Sequence, residues 1–222
     1  MVINNMPLVS VIVTTYNRRD LLTKTIDSIL KQTYKNFELI VVDNFSDYDF
    51  LSYLRSFNDE RIRSFQNVND GIIAVNRNFG IKKAKGDYIA FCDDDDKWMP
   101  EKLEKQMKFI IENQLENKSI VLYTNCINTS EKTRMVTSKR NINNINDLIK
   151  RNQITYSSTL ISSINLKRNF NENSEFIAVE DFLFWCSLAV DGYKYFLIKD
   201  NLVIHRINSD SMSMQNIKFK YY

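Results

Sequence analysis

The stretch GDYIAFCDDDDKWMP (Gly86–Pro100) places four consecutive aspartates, Asp93–Asp96, directly after an apolar run. Adjacent carboxylates repel one another, so a chain keeps such a cluster only where water solvates it or a cation neutralises it. The apolar run DYIAFCD is typical of a buried strand, and Pro100 is well suited to the first turn of a helix. The sequence therefore predicts an acidic loop between a strand and a helix, with a cation site as the favoured interpretation.

On both sides of this stretch, strand and helix patterns alternate with short links. The predicted strands of the first half are 8–16, 37–44, 61–67 and 87–93, and the predicted helices are 20–32, 47–57, 72–84 and 100–114. This alternation predicts an α/β fold with a Rossmann-like, mostly parallel sheet flanked by helices.

After about residue 118 the alternation becomes irregular, and an Asn-rich segment follows. The elements predicted here are strand 119–128, a weak helix at 145–150, a helix at 180–190 with an acidic start, and closing strands at 193–200 and 202–207. We predict a single domain, 1–222, in which about 1–118 binds a nucleotide sugar and about 119–222 forms an irregular acceptor-binding half.

Composition narrows the class of protein. The chain has 222 residues, 44% of them hydrophobic, and a net charge of +3 without a basic block, which argues against a nucleic-acid partner. Its three cysteines, Cys92, Cys126 and Cys186, are widely spaced, as expected of free thiols in a reducing compartment. No signal peptide or membrane-spanning run is evident. We expect a cytoplasmic protein, with peripheral association to the inner membrane surface left open.

Polar residues follow three of the predicted strands. In an open parallel sheet, ligands bind beyond the carboxyl ends of the strands, so Thr14, Tyr16, Asn44 and the aspartates are expected at one edge. Mg²⁺ and Mn²⁺ take carboxylates together with substrate phosphates. Asp93 and Asp95 are therefore predicted to hold a divalent cation that bridges a diphosphate. The alternative is a solvated loop, and one carboxylate is expected to serve only as a helix N-terminal charge.

Several segments together resemble the inverting family 2 glycosyltransferases with the GT-A fold. They are VSVIVTTYNR, SILKQTYKNFELIVVDNFSD, NRNFGIKKAKGDYIAFCDDDDKWMPEKLEKQ and VEDFLFW, so the similarity covers most of residues 8–110 and returns at 180–211. The resemblance implies a nucleotide-diphospho-sugar donor, Mn²⁺ or Mg²⁺ at a DxD-type motif, and transfer in one displacement with inversion. It also implies a glycan or lipid-linked acceptor in O-antigen, capsule or lipooligosaccharide synthesis.

The resemblance assigns roles to individual residues. Donor contacts are implied for Thr14, Tyr16, Asn44, Arg77, Asp93 and Asp94. Asp93 and Asp95 are the implied metal ligands, and Asp181 is the implied catalytic base. Glu180 and Trp98 are possible contacts for the acceptor or the sugar, although packing beneath the acidic loop is the favoured interpretation of Trp98.

Two positions depart from the family pattern. Asn44 stands where the family usually has an aspartate that reads the base; an amide both donates and accepts, and a UDP-sugar remains the expected donor. His205 stands where the family has an aromatic residue, and Asn208 stands in the place of a histidine, so a role for His205 at the metal stays open.

Transfer of a sugar to a hydroxyl group requires a base, whichever family the protein belongs to. An acceptor hydroxyl attacks well only when a base takes its proton, and Asp181 begins an apolar helix. Two other functions remain open: a sugar nucleotidyltransferase, and a non-catalytic nucleotide- or cation-binding module. The lack of a Gly-rich phosphate loop near the start of the chain argues against the first, and Asp181 together with the DxD pair argues against the second.

Overall fold

The computed structural model describes residues 6–130 and 133–207. The strands are β1 (Val9–Thr15), β2 (Phe37–Asp43), β3 (Ile62–Gln66), β4 (Tyr88–Asp93), β5 (Lys97–Trp98), β6 (Ile120–Thr129), β7 (Arg134–Thr137), β8 (Leu160–Ser162) and β9 (Lys194–Arg206). The helices are α1 (Arg19–Leu30), α2 (Phe50–Arg55), α3 (Ile73–Lys83), α4 (Lys102–Glu112), α5 (Ile145–Lys150) and α6 (Glu180–Val190), with 3₁₀ turns at Tyr156–Ser158 and Ser174–Phe176.

All the strands form one sheet, in the order β3-β2-β1-β4-β8-β6-β9-β5, with β7 paired to β6. β1 to β4 are parallel. β8 is antiparallel to both of its neighbours, so β6 and β9 run in the same direction as β4. The predicted mostly parallel α/β sheet is confirmed. The chain order reverses between β1 and β4, and this is the position where open α/β sheets bind ligands.

Two apolar layers cover the sheet. Every residue of β1 and β2 is buried, as expected of strands covered on both faces. One layer packs α1, α2 and α4 against the sheet and includes Leu22, Leu54 and Leu103. The opposite layer packs α3, α5 and α6 and includes Phe184 and Trp185. We call these the α1–α4 face and the α3–α6 face.

A glycine sets the distance between α3 and β1. A Cβ atom on Gly80 would lie 2.6 Å from Cγ2 of Ile12, so only glycine permits this approach. Arg77 lies three residues earlier on the same helix, and the close packing brings its side chain to the end of β4. The segment NRNFG thus positions a charged residue beside the acidic loop.

The second half differs from the prediction in detail. The two predicted closing strands are one strand, β9, because its register with β6 shifts on both sides of Asn125 and accommodates the polar residues Asp200 and Asn201. β5, β7 and β8 were not predicted, since strands of two to four residues carry too little pattern. The weak helix at Ile145–Lys150 is confirmed. Within the described residues, no helix is long and apolar enough to cross a membrane.

Candidate active site

The four aspartates do not form a loop in which every carboxylate is solvated. Asp94 and Asp96 are buried, and the side chains of Asp93 and Asp95 are 31% and 16% exposed. The expectation that one carboxylate serves as a helix N-terminal charge is wrong, because β5 lies between the cluster and α4, whose first residue is Lys102. The two buried carboxyl groups instead make contacts within the protein.

Asp94 and Asp96 fasten the loop to its neighbours. Asp94 accepts hydrogen bonds from Thr15 Oγ1 at 2.8 Å and from Arg18 Nη1 at 3.0 Å. Burial raises the pKa of Asp94 to about 6, and Arg18 opposes this rise. Asp96 Oδ1 accepts from the backbone N–H of Arg206 at 2.8 Å, which ties the end of β9 to the loop. Both carboxylate oxygens of Asp94 thus accept hydrogen bonds from other side chains of the protein. The donor contact predicted for Asp94 stays a prediction.

Asp93 and Asp95 are the more open members of the cluster. Burial raises the pKa of Asp95, and the neighbouring charge of Asp93 raises it further. The distance from Arg18 Nη1 to Asp95 Oδ2 is 3.5 Å, longer than the 3.0 Å to Asp94, and the Arg18 side chain is half exposed. In the described residues no three His, Cys, Asp or Glu side chains are arranged as a ready metal site. Two repelling carboxylates nevertheless fit Mg²⁺ or Mn²⁺, which take one or two protein carboxylates and complete their shell with substrate phosphates and water.

Arg77 joins the acidic loop to the start of α6. Its Nη1 donates to Glu180 Oε1 at 2.7 Å and its Nη2 donates to Asp93 Oδ1 at 3.2 Å. The guanidinium carbon lies 3.8 Å from the centre of the Tyr156 ring, a cation–π contact. The side chain is 6% exposed. Arg77 therefore pairs with two carboxylates of the site, while the predicted donor contact stays a prediction.

Asp181 lies beside this cluster, at the first turn of α6. Its Oδ1 accepts from the backbone N–H of Phe182 at 2.6 Å. Burial raises the pKa of Asp181 to about 6; Arg77 opposes this shift and Glu180 adds to it. The residue retains some contact with solvent. A partly exposed carboxyl group with this pKa is suited to general-base chemistry near neutral pH.

The predicted nucleotide contacts lie at the ends of β1 and β2. Thr14 is buried between Val42 and Asp93, and its hydroxyl has no hydrogen-bond partner within the described residues. Tyr16 is exposed. Asn44 is half-buried, and its Oδ1 accepts from the backbone N–H of Asn69 at 2.9 Å. The sheet thus brings Tyr16 and Asn44 to the same edge as the acidic loop.

Trp98 and His205 lie around the base of the loop. Trp98 is 3% exposed and its indole N–H donates to the carbonyl of Ser157 at 2.9 Å, so the structure supports the packing interpretation and leaves no surface for an acceptor. His205 Nδ1 lies 3.1 Å from Asn128 Oδ1. Burial lowers the pKa of His205, although Asp93 and Asp95 act to raise it. Asn208 lies outside the described residues.

The 3₁₀ turn Tyr156–Ser158, which supports this site, was not predicted from the sequence. Ser157 Oγ accepts from the backbone N–H of Asp93 at 2.9 Å, and Tyr156 stacks on Arg77. These residues lie in the irregular half, more than sixty positions after Asp93, and a single sequence carries no signal that pairs them. Arg18, by contrast, lies three positions after the end of β1, at the start of α1, so its position at the same edge as the aspartates could have been inferred.

The arrangement combines an acidic, cation-compatible loop, a carboxylate of raised pKa and an exposed polar edge at a switch point of the sheet. Comparison with known proteins identifies the family. The family model described as "Glycosyl transferase family 2" matches residues 10–173. The chain is 32% identical over 219 residues to the UDP-Glc:alpha-D-GlcNAc-diphosphoundecaprenol beta-1,3-glucosyltransferase WfaP of Escherichia coli, covering 96% of this chain and 82% of that protein. The chain belongs to glycosyltransferase family 2.

Solved structures share the fold. The S. aureus TarS fragment 1–349 in complex with UDP-GlcNAc has a TM-score of 0.75 at 24% identity, over 93% of this chain and 60% of that chain. The mannosyltransferase PcManGT of Pyrobaculum calidifontis, in complex with GDP-Man and Mn²⁺, has a TM-score of 0.69 at 17% identity, over 94% and 59%. The predicted GT-A fold is confirmed. Three other relatives are matched over about half of this chain, which spans 15–43% of their length.

Proposed function

We propose that this protein transfers a sugar from a nucleoside diphosphate sugar, with UDP as the nucleotide, to a hydroxyl group of a glycan or lipid-linked acceptor. The observation that carries the proposal is the cluster around Arg77, in which the acidic loop and the start of α6 meet at the ligand-binding edge of the sheet. Of the three functions that the sequence left open, family membership supports the glycosyltransferase.

Asp93 and Asp95 would hold Mn²⁺ or Mg²⁺. When bound, the cation would bridge the donor diphosphate to the protein and stabilise the negative charge of the leaving nucleoside diphosphate. The half-exposed Arg18, which lies near Asp95, can add positive charge on the same side. The chemistry of the two open carboxylates supports this role.

Asp181 would act as the base. It takes the proton from the acceptor hydroxyl while that oxygen forms a bond to the anomeric carbon of the donor. The bond between this carbon and the β-phosphate oxygen breaks at the same time, and the nucleoside diphosphate leaves with the electron pair. Attack opposite the leaving group inverts the anomeric centre. Glu180 is held by Arg77, so its part is to keep the start of α6 in place.

The chemical class of the acceptor is proposed from the named function of a similar protein. WfaP is named for transfer to a sugar linked to diphosphoundecaprenol, and it matches most of this chain. A lipid-linked acceptor of this chemistry, used in cell-surface polysaccharide synthesis, would bring the protein to the cytoplasmic surface of the membrane.

The test is donor turnover. Purified protein is incubated with UDP-glucose, UDP-GlcNAc, GDP-mannose and dTDP-glucose, with and without Mn²⁺, and release of nucleoside diphosphate is measured. We expect slow, Mn²⁺-dependent release of UDP, and loss of this activity in Asp95→Ala, but not in the control Asp27→Ala on the exposed side of α1. Pyrophosphate as a product, binding without turnover, or a fully active Asp95→Ala protein would each contradict the proposal.

A further inference from the structure

Two aromatic side chains are exposed beside the proposed donor site. Tyr16 follows β1 and Phe45 follows β2, and each is 54% exposed. Within residues 6–130 and 133–207, the other Phe, Tyr and Trp residues are at least partly buried. An exposed aromatic pair at the ligand-binding edge of a sheet is a feature that a ligand can use.

The backbone holds Phe45 in an unusual conformation. Its φ angle is 56°, in the left-handed region that bulky side chains rarely adopt. The preceding loop contributes Asn17, whose φ angle is 52°. Such a conformation persists only where the surrounding structure determines it, and it is common at ligand sites.

Hydrogen bonds fix these two loops against each other. The backbone N–H of Asn17 donates to Ser46 Oγ at 2.8 Å, and the N–H of Asp47 donates to Asn17 Oδ1 at 2.8 Å. The N–H of Asn44 donates to the carbonyl of Thr15 at 3.1 Å. Tyr16 and Phe45 therefore lie on adjacent, connected loops. Asn44 directly precedes Phe45, and its backbone is hydrogen-bonded to the residue before Tyr16.

The side-chain amide of Asn44 has a defined orientation. Its oxygen is taken by the N–H of Asn69, so the Nδ2 group points away from that bond. Within the described residues, Nδ2 makes no hydrogen bond, which leaves it to donate to an acceptor from outside. Uracil offers two carbonyl oxygens on its edge, so an amide donor suits this base.

We infer that Phe45 contacts the nucleobase of the donor. Its ring and that of Tyr16 provide the aromatic surfaces for the base, and Asn44 Nδ2 donates to a carbonyl oxygen of uracil. Every base has a π-face, so stacking supplies affinity with little selectivity. The amide donor favours a base that offers a carbonyl oxygen. This inference rests on the proposed function, because it requires a nucleotide donor.

The experiment measures binding of UDP and of pyrophosphate, each with Mn²⁺, by titration calorimetry. The variant Phe45→Asn removes the ring but keeps a residue that tolerates the left-handed backbone. We expect UDP affinity to fall about tenfold, or about 1.4 kcal/mol, with pyrophosphate affinity unchanged and no drop in melting temperature. Phe45→Tyr retains a ring and is expected to bind UDP like the wild type.

Asn58→Gly is the matched control, because Asn58 has a φ angle of 49° at the end of α2, away from this edge. It relieves the same backbone strain and should leave UDP affinity unchanged. Unchanged UDP binding in Phe45→Asn overturns the inference alone, as does an equal loss of UDP and pyrophosphate or a Phe45→Tyr protein as weak as Phe45→Asn. A wild-type protein that binds no nucleoside diphosphate overturns the proposed function as well.

Discussion

Two basic side chains are buried on opposite faces of the sheet, and their surroundings differ. On the α3–α6 face, Arg77 contacts the carboxylates of Glu180 and Asp93. On the α1–α4 face, Lys102 is fully buried, and its amine contacts the neutral oxygen of Gln106 at 3.0 Å and the Trp98 ring at 3.8 Å. Burial lowers the pKa of Lys102 to about 7. Burial also acts to lower the pKa of Arg77, but Tyr156, Asp93 and Glu180 raise it.

The difference shows what a buried charge requires. A cation removed from water keeps its charge only where anions compensate the lost hydration; without them it gives up its proton. The α3–α6 face holds three carboxyl groups around one guanidinium, and that is the face on which we place the chemistry. On the α1–α4 face, which lies beneath the acidic loop, the buried amine of Lys102 is only partly protonated near neutral pH.

The largest effect is expected on the α3–α6 face, from Asp181→Asn. The amide keeps the size of the side chain but cannot accept a proton, so transfer should fall roughly 10²–10⁴-fold, with donor affinity little changed. In the wild type, the rate should fall below pH about 6, where Asp181 becomes protonated. Asp191→Asn, at the other end of α6, is the control for steady-state rates across pH. A normal rate in Asp181→Asn would place the base elsewhere.

Arg77→Gln tests the pairing itself. Loss of the guanidinium leaves Glu180 buried without a partner, which should cost about 3–5 kcal/mol of unfolding free energy. Adding Glu180→Gln should recover part of this loss, because the second change removes the unpaired charge. Urea denaturation measures both. Arg63→Gln, which breaks a pair with Glu38 at the amino end of the sheet, should cost less, because Glu38 keeps hydrogen bonds from Ser10 Oγ and from the backbone N–H of Lys85. A loss in Arg77→Gln no larger than in that control would contradict the assignment.

Lys102→Met tests the opposite face and should stabilise the protein by about 1–4 kcal/mol at pH 7, because it removes a poorly compensated buried amine. The unfolded chain binds more protons than the native one between pH about 7 and the usual lysine pKa of 10.5. Wild-type stability should therefore gain from this group as pH rises, and the advantage of Met should shrink between pH 7 and pH 9. Lys105→Met, on the exposed side of α4, is the control. A destabilised Lys102→Met protein would mean that the amine is well compensated.

The smallest effect concerns thiol access. Cys92 and Cys126 are buried on the α1–α4 face, while Cys186 on α6 is only partly buried. Native protein should react with a thiol reagent at one cysteine quickly, and at the other two only on unfolding. Mass spectrometry of the labelled peptides identifies the site. Rapid labelling of Cys92 would show that the layer beneath the acidic loop opens more readily than that beneath α6.

Much of the first half could be predicted from the sequence, because its strands are apolar on both faces and its helices are amphipathic or bounded by short links. The edge that carries Tyr16, Asn44 and the aspartates followed from one rule about parallel sheets. The individual roles within the acidic loop did not follow. Whether a carboxylate faces a partner or a ligand depends on side-chain direction, which four identical residues in a row do not reveal.

The second half was harder because its contacts are distant in sequence. The turn that carries Ser157 lies sixty-four positions from Asp93, whose backbone it binds. The pairing of Arg77 with Glu180 spans 103 positions. Neither contact leaves a periodic pattern. The single strand β9 was divided in the prediction because Asp200 and Asn201 resemble a turn, whereas the bulge opposite Asn125 absorbs them.

The attachment of β9 to the acidic loop bears on the order of folding. Arg206 meets Asp96 across 110 positions, and β9 also pairs with β5. Contacts of such long range form late, since closing a large loop costs chain entropy before any contact repays it. The strands β1 to β4 can associate while the rest of the chain is still being synthesised, but the acidic loop gains its last support only when β9 arrives. In pulsed hydrogen exchange, amides of β1 and β2 should gain protection before those of β5 and the end of β9.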